Sequence, residues 1–405
     1  MWKMKPFYVG SLKKMFSKYV GKRCAVTLLV IFLAYCVLIK MSLYFREDFV
    51  TWVYTKPRIV DDPLSQLKKV NVRRFQSNVE VEFPHNSDGP IRIPHIVHQI
   101  FNTPRIPKRY TNMVKSFHKK NPQWTYMFWT YDSGRNLIKE KHPYILKVYD
   151  GFGNSVKKAD MLRYVVLYEY GGIYADLDVL NLRSLDNVTL TYACMLSAEP
   201  IEHVALLYKT PFILLNGIIL CRPRHPFFER VLSNLVTANV TGEPIRTTGP
   251  LYITKQYMLY NELTVVDFWE NDKKVDTNDH SPYFYKGKRR DTDDDNVFIP
   301  NSQYFIDSLD PGIVKRLKTF CKSPFLRYET ELKQMACAEY LARMTVRKNK
   351  KYAYTDHIWD HLWGKTSRDF KKINYVHIEK LIPNAVMLYN STHSLDPKIS
   401  DVSAK

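Results

Sequence analysis

The sequence predicts an α/β fold with a mostly parallel central sheet, and three observations carry that expectation. Short apolar runs rich in β-branched and aromatic residues alternate with longer helical runs through the middle of the chain. The stretches between successive strands are long enough to hold a helix, which implies parallel βαβ units with right-handed crossovers. Finally, 405 residues at 45% apolar content with only 14 glycines can bury a large core and are neither disordered nor fibrous.

"IRIPHIVHQIF", from Ile91, is the first expected strand, a β-branched run containing a proline near its start. "IPKRYTNMVKSFHKKNP" has helical spacing through Tyr110, Met113, Val114 and Phe117 and stops at Asn121-Pro122. "QWTYMFWT" is aromatic and extended, a second strand. Residues 133–149 read as one helix and 155–170 as a longer one, after which "GIYADLDVL" is the third strand. Ligands of such sheets bind beyond the carboxyl ends of the strands, which is where Asp176 and Asp178 fall.

The N-terminus is of another kind. Residues 1–23 carry Lys3, Lys5, Lys13, Lys14, Lys18, Lys22 and Arg23 and no acid. An apolar run begins at Cys24 and, past Lys40, resumes to Phe45, where the lysine can snorkel to the headgroups. The long basic region and the lack of a small-x-small site favour an uncleaved transmembrane anchor over a signal peptide. The expected organisation is a cytosolic tail 1–23, an anchor 24–45, a polar stem 46–90, a core 91–260, and a region 261–405 of the same domain forming its acceptor side and lid. By the positive-inside rule everything after the anchor lies on the far side of the membrane, a type II topology. Sequons at Asn187, Asn239 and Asn390 agree with that placement. Cys24 and Cys36 lie in the anchor, leaving Cys194, Cys221, Cys321 and Cys337 as an even set that admits three pairings. Cys321 with Cys337 is the favoured disulfide, being the closer pair. The formal charge of +20 suggests anionic ligands, such as nucleotide diphosphates or acidic membrane surfaces. No nucleic acid is met on the far side of the membrane.

Two carboxylates at i and i+2 of a strand share a face and repel unless a cation lies between them. Hard oxygen ligands that leave room for substrate phosphates suit Mg²⁺ or Mn²⁺. Gly171 and Gly172 let the chain turn sharply ahead of them. The acidic run Asp293–Asp295 in "DTDDDN" is expected to be a solvated loop instead. There is no G-x-S-x-G elbow, no G-x-G-x-x-G and no Walker A loop.

The segment "ADMLRYVVLYEYGGIYADLD" resembles the sugar-binding region of DXD-containing glycosyltransferases, in the group of yeast α-mannosyltransferases, mannosyl-inositolphosphoceramide synthases and animal α-1,4-galactosyltransferases. "IPHIVHQIF", "NPQWTYMFWT", "LLNGIILCRPRHPFF" and "TTGPLYITK" resemble further elements of that group, in order, over residues 91–260. The resemblance implies a GT-A-like nucleotide-sugar-binding fold and a retaining, metal-dependent transfer of a hexose in the Golgi. Asp178 would be the primary metal ligand and Asp176 a contact to sugar or ribose and to a metal-bound water. Asp160 and Arg163, on one helix face, would hold the donor's hydroxyls and phosphate, against the plainer reading of a helix-end carboxylate and a surface ion pair. Tyr174 would lie beside the base, or be a core tyrosine; Asn216 and Gly217 would lie near donor and acceptor, or form a simple strand-end turn. The group often completes its metal site with a histidine and a Ser-Trp pair, and here "TDHIWDHLWGKT" offers His357, His361 and Trp363. Lys365 and Thr366 stand where Ser-Trp is expected, and His361 is favoured over His357 as the third ligand.

The donor stays open among UDP-galactose, UDP-N-acetylglucosamine, UDP-glucose and GDP-mannose, and the acceptor between a glycan and a glycolipid. Two other readings are weighed: an inert, lectin-like member of the fold, and a phosphatase with an Asp-x-Asp nucleophile. The second wants a long apolar strand before the first aspartate, where this chain has "YGGIYA".

Overall fold

The computed structural model describes residues 82–83, 89–210, 212–238, 240–261, 293–346, 351–362 and 372–387. The expected tail, anchor and nearly all of the stem lie outside these residues, as do Asn239, Asn390, Trp363, Lys365 and Thr366. Among the described residues no helix is long and apolar enough to cross a membrane.

Ten strands occur among the described residues: β1 (Ile96–Ile100), β2 (Arg105–Pro107), β3 (Thr125–Trp129), β4 (Gly172–Ala175), β5 (Val179–Asn181), β6 (Cys194–Ala198), β7 (Leu214–Cys221), β8 (Thr355–His357), β9 (Tyr375–His377) and β10 (Val386–Met387). The helices are α1 (Thr111–Lys120), α2 (Tyr131–Lys141), α3 (Pro143–Asp150), α4 (Ser155–Tyr170), α5 (Ile201–Leu207), α6 (Pro226–Thr237), α7 (Pro244–Thr247), α8 (Pro250–Tyr260), α9 (Pro311–Phe320) and α10 (Glu331–Val346). The main sheet has the order β10-β3-β1-β4-β7-β6. Its first four strands are parallel, β7 runs antiparallel to β4, and β6 antiparallel to β7. The sheet is thus mixed, mostly parallel on the side where the first carboxylate-bearing strand lies. Two antiparallel pairs, β2 with β9 and β5 with β8, stand apart from it.

Alternation along the strands divides the core in two. Met127, Trp129, Tyr174, Ile219 and the inward faces of α2, α3, α4, α6 and α8 pack on one side of the sheet. Val97, Phe128, Ile173, Ala175, Ile218 and Leu220 pack on the other, with Val114 and Phe117 of α1. α4 starts at Asn154, whose side chain accepts from Val156 N–H, and ends at Gly171 with φ +62°. A side chain at Gly171 would also press on Pro223 at 2.6 Å, and one at Gly172 on the Ile96 carbonyl at 2.5 Å. The two glycines therefore allow the helix to reverse directly into β4.

Two expectations are corrected. The single helix over 133–149 is two, because Pro143 lacks an N–H and pushes His142 out of helical geometry, to φ −135°. The single strand "GIYADLDVL" is also two: β4 belongs to the main sheet, β5 pairs with β8, and Asp176–Asp178 form the turn between them. The C-terminal region is woven into the core, since β10 extends the main sheet beside β3 and β8 and β9 pair with strands of the N-terminal half. Cys321 is bonded to Cys337, and Cys194 to Cys221 across paired positions of β6 and β7.

Candidate active site

At the carboxyl end of β4 the chain leaves the sheet and two carboxylates converge. Asp176 N–H still donates to Gly217 O at 2.8 Å, prolonging the β4–β7 ladder by one residue. Val179 N–H then donates to Asp176 O at 3.1 Å, closing the turn that carries Asp178. Asp176 is fixed by the Tyr174 hydroxyl, which donates to Oδ1 at 2.5 Å, and by Arg163 Nη1 at 3.4 Å from the same oxygen. Asp178 is wrapped by the segment after β8: its carbonyl accepts from Ile358 N–H and its Oδ2 from Asp360 N–H, both at 3.0 Å.

Behind the pair lies a buried polar network. Asp160 and Arg163, one turn apart on α4, are 3.1 Å apart and both nearly sealed from solvent. Asp160 accepts from Asn216 Nδ2 at 2.9 Å and from Thr248 Oγ1 at 2.7 Å. Arg163 donates to Asn216 O at 2.6 Å and lies over the Tyr174 ring, 4.6 Å from its centroid. Burial raises the Asp160 carboxyl, against the pull of Arg163. Burial likewise raises Asp176, with Arg163 opposing and Asp178 adding to the rise. Burial disfavours the Arg163 charge, but Asp176, Tyr174 and Asp160 more than offset that and push its pKa up. Two carboxylates, Asp160 and Asp176, answer to one guanidinium, and Asp178 adds a third negative charge beside Asp176 at the open edge, where a cation would relieve it.

Asp176, Asp178 and His357 each offer a ligand atom within 4.8 Å of the others. The structure brings His357 to the carboxylates, and not His361, which turns away to place Nε2 2.7 Å from Asp310 Oδ2. The reason is strand pairing, since β8 lies against β5 with His357 opposite Val179. Hard carboxylate oxygens suit Mg²⁺ or Mn²⁺, so Asp176 and Asp178 fit such an ion. His357 fits less directly. Trp359 N–H donates to its Nδ1 at 3.0 Å, which leaves the ring proton on Nε2, the nitrogen 3.5 Å from Asp178 Oδ1. Taking a cation on Nε2 would move that proton to Nδ1 and break the Trp359 bond. The ring turns its Nε2–H toward Asp178 at a distance longer than a close hydrogen bond, as a neighbour that limits where the carboxylate can swing.

Gly217 is where the site would be blocked. A Cβ there would lie 2.9 Å from Asp176 Oδ2 and 3.5 Å from His357 Nε2, inside the space the three groups share. Trp359 and His361, with φ of +57° and +48°, mark a strained backbone beside the carboxylates. Trp359 packs its ring 4.3 Å from that of His357 and donates from Nε1 to Ser308 O.

Of the residues expected from sequence, Asp160, Arg163, Tyr174, Asp176, Asp178, Asn216 and Gly217 form one connected cluster. Asn187 is exposed in a short turn, and the hydroxyl of its sequon partner Thr189 donates to Asp186 O. The acidic run is tied down as well as solvated, with Asp294 paired to Arg92 and Asp295 to Arg222. Sequence reading passed over Thr248, although it lies in "TTGPLYITK", and over Gln99, whose side-chain amide donates to Asp176 O at 3.3 Å. It also missed Tyr164, which shares Asn216 with Asp160. No local pattern in the sequence distinguishes these polar residues from ordinary core neighbours.

Residues 107–194 match the family described as the glycosyltransferase sugar-binding region containing DXD motif. An inositol phosphoceramide mannosyltransferase of Schizosaccharomyces pombe is 30% identical over 192 residues, covering 46% of this chain and 50% of that protein. A mannosyl phosphorylinositol ceramide synthase of Saccharomyces cerevisiae is 33% identical, over 42% of this chain and 44% of that one. The initiation-specific alpha-1,6-mannosyltransferase of the same yeast is 25% identical over 30% of this chain and 26% of its own length. The chain spans about half the length of the first two relatives. The solved PaToxG glycosyltransferase shares 14% identity and a TM-score of 0.36 over 47% of this chain and 78% of that one, too loose a likeness to bear weight.

Proposed function

We propose that the protein transfers a hexose, with mannose from GDP-mannose as the first choice, from a nucleotide-sugar to a glycolipid, with retention of anomeric configuration. The observation that carries this reading is the convergence of Asp176 and Asp178 at a strand end, backed by the buried Asp160–Arg163–Asn216 network. The names of the mannosyltransferase relatives support the choice of sugar and of a lipid acceptor. A Golgi location with the type II anchor at 24–45 remains part of the same proposal.

When bound, Mn²⁺ or Mg²⁺ held by Asp178 and Asp176 supplies positive charge for the departing diphosphate. The chain's own residues do the rest. Arg163 and the Tyr174 hydroxyl hold Asp176 in one orientation, and the backbone of Ile358 and Asp360 holds Asp178, so neither carboxylate reorganises during the reaction. Asp160, kept in place by Asn216 and Thr248, positions Arg163 in turn. Gly217 leaves the space in which donor atoms can approach the pair. No protein base is assigned, because a leaving phosphate oxygen can take the acceptor proton.

The test is a panel of nucleotide-sugars with the full chain, each with Mn²⁺ and with a chelator. Turnover of one sugar that the chelator abolishes, and that Asp178→Asn lowers by at least about a hundredfold without lowering the melting temperature, is the expected result. Full activity in Asp178→Asn would overturn the proposal.

A further inference from the structure

We infer that the element running from α9 to α10 is a docking face for an anionic lipid bilayer, which holds the active site at the surface where a lipid acceptor resides. The inference rests on the glycolipid reading for its purpose but on separate observations for its existence.

Residues 311–328 contain five lysines and arginines and no acid. On α9 the basic residues segregate from the core. Ile313 and Leu317 are buried against Cys321, Cys337 and Tyr340, while Lys315 and Lys318 are exposed on the opposite face, with Lys322 continuing that line just past the helix. The chain then presents two large aromatic side chains to solvent, Phe325 at 69% and Tyr328 at 71% exposed, with exposed Arg327 between them. Exposed aromatics preceded by lysines and separated by an arginine, which lies over the Tyr328 ring, are the composition of an interfacial membrane contact, in which rings enter the headgroup region and cations meet lipid phosphates. The nearest acid after them, Glu329, is already paired with Lys333 at 2.7 Å. The Cys321–Cys337 bond ties the aromatic tip to α10 and keeps it in place.

The element is connected to the active site at its start. Asp310 caps α9 with Oδ1 on Gly312 N–H and holds His361 with Oδ2, in the segment that wraps Asp178. α9, ten residues and about 15 Å long, runs between that connection and the segment that carries the aromatic tip. A face of this kind would spare a lipid headgroup from leaving the bilayer far to be glycosylated.

The experiment places the full chain in bilayer discs of phosphatidylcholine, with or without phosphatidylinositol, the phosphatidylcholine carrying bromine as a quencher. The Phe325→Trp variant is compared with the unaltered chain, so that the added emission belongs to position 325. Quenching of that emission in the anionic discs, weakened by salt and by joint replacement of Lys315, Lys318 and Lys322 with alanine, is expected. Each such lysine is worth about fivefold in docking to an anionic surface, so the triple variant, even when an anchor keeps the chain in the disc, should raise KM for a disc-borne acceptor by several-fold and at most about a hundredfold. Its kcat and its acceptor-independent hydrolysis of the donor should stay as they were. Absence of quenching, or quenching indifferent to the lysines, overturns the inference. Quenching by a chain that transfers sugar to no lipid upholds the face and overturns the acceptor reading instead.

Discussion

His98 lies in the middle of β1 with no exposed surface, and acid should reveal it as a hidden weakness of the fold. Trp129 Nε1–H donates to its Nδ1 at 3.1 Å, so the ring proton is on Nε2, which donates to Gly171 O at 2.8 Å. That carbonyl belongs to the glycine where α4 reverses into β4, so the neutral imidazole braces the turn that delivers Asp176. Protonation would set Nδ1–H against the Trp129 N–H. Burial accordingly lowers the His98 pKa from 6.5 to about 4. Between those values the unfolded chain binds the proton and the folded chain does not, so stability falls as pH falls. The loss begins near the unfolded pKa, reaches about 2 kcal/mol at pH 5, and levels at about 3 kcal/mol below the folded pKa. Other groups titrate in the same window, so the informative quantity is a difference. His98→Gln supplies an amide that can bond Trp129 and Gly171 without titrating. Urea unfolding of both chains should find the variant about 1 kcal/mol weaker near pH 7.5 and level with, or stronger than, the parent near pH 5. If the two stabilities fall in parallel between those conditions, His98 does not titrate as argued and the bracing of Gly171 loses its basis.

Three further outcomes follow from the site. Gly217→Ala should fold normally, since alanine is acceptable in a strand, yet its Cβ 2.9 Å from Asp176 Oδ2 should cut Mn²⁺ affinity and turnover at least about tenfold; unchanged affinity by calorimetry would mean the ion lies elsewhere. Thr248→Val removes a buried hydroxyl from Asp160 and should cost about 2 kcal/mol, or roughly 3 °C in Tm, with Thr248→Ser largely restoring it; an unaffected melting curve would show that Asp160 does not depend on that bond. His357→Asn should weaken Mn²⁺ binding by about tenfold to a hundredfold, as loss of an orienting partner does, whereas Asp178→Asn should abolish it; equal loss in both would make His357 a direct ligand.

What the sequence disclosed and what it hid divide along a physical line. α4 was legible to the residue, because an Asn cap before it and a left-handed glycine after it are local chemical signals. The break at Pro143 is equally local, since proline lacks the N–H that a continuous helix needs there. β4 and β5 could not be told apart from one strand. Three residues separate them, and a continuous apolar alternation looks the same whether or not the chain changes sheets between Ala175 and Val179. The antiparallel entry of β7 was also hidden, since no turn signal fixes the direction of a strand reached through two long connections.

The third residue of the candidate site shows why composition alone leaves such choices open. His357 and His361 are four residues apart in one short segment, both beside tryptophan, and composition favours neither. What separates them is the pairing of β8 with β5, a contact across most of the core's length. Once that pairing is made, the two histidines take opposite duties: His357 faces Asp178, and His361 faces Asp310 at the head of α9. The positive φ values at Trp359 and His361 are the backbone's cost of turning both ways within five residues. The segment can hold that strain because it is anchored by Asp178 O and Oδ2, by Ser308 O on the Trp359 ring nitrogen, and by Asp310. The carboxylate pair written in the sequence is therefore only half of the candidate site. Its other half is built by a strand that enters from the far end of the chain.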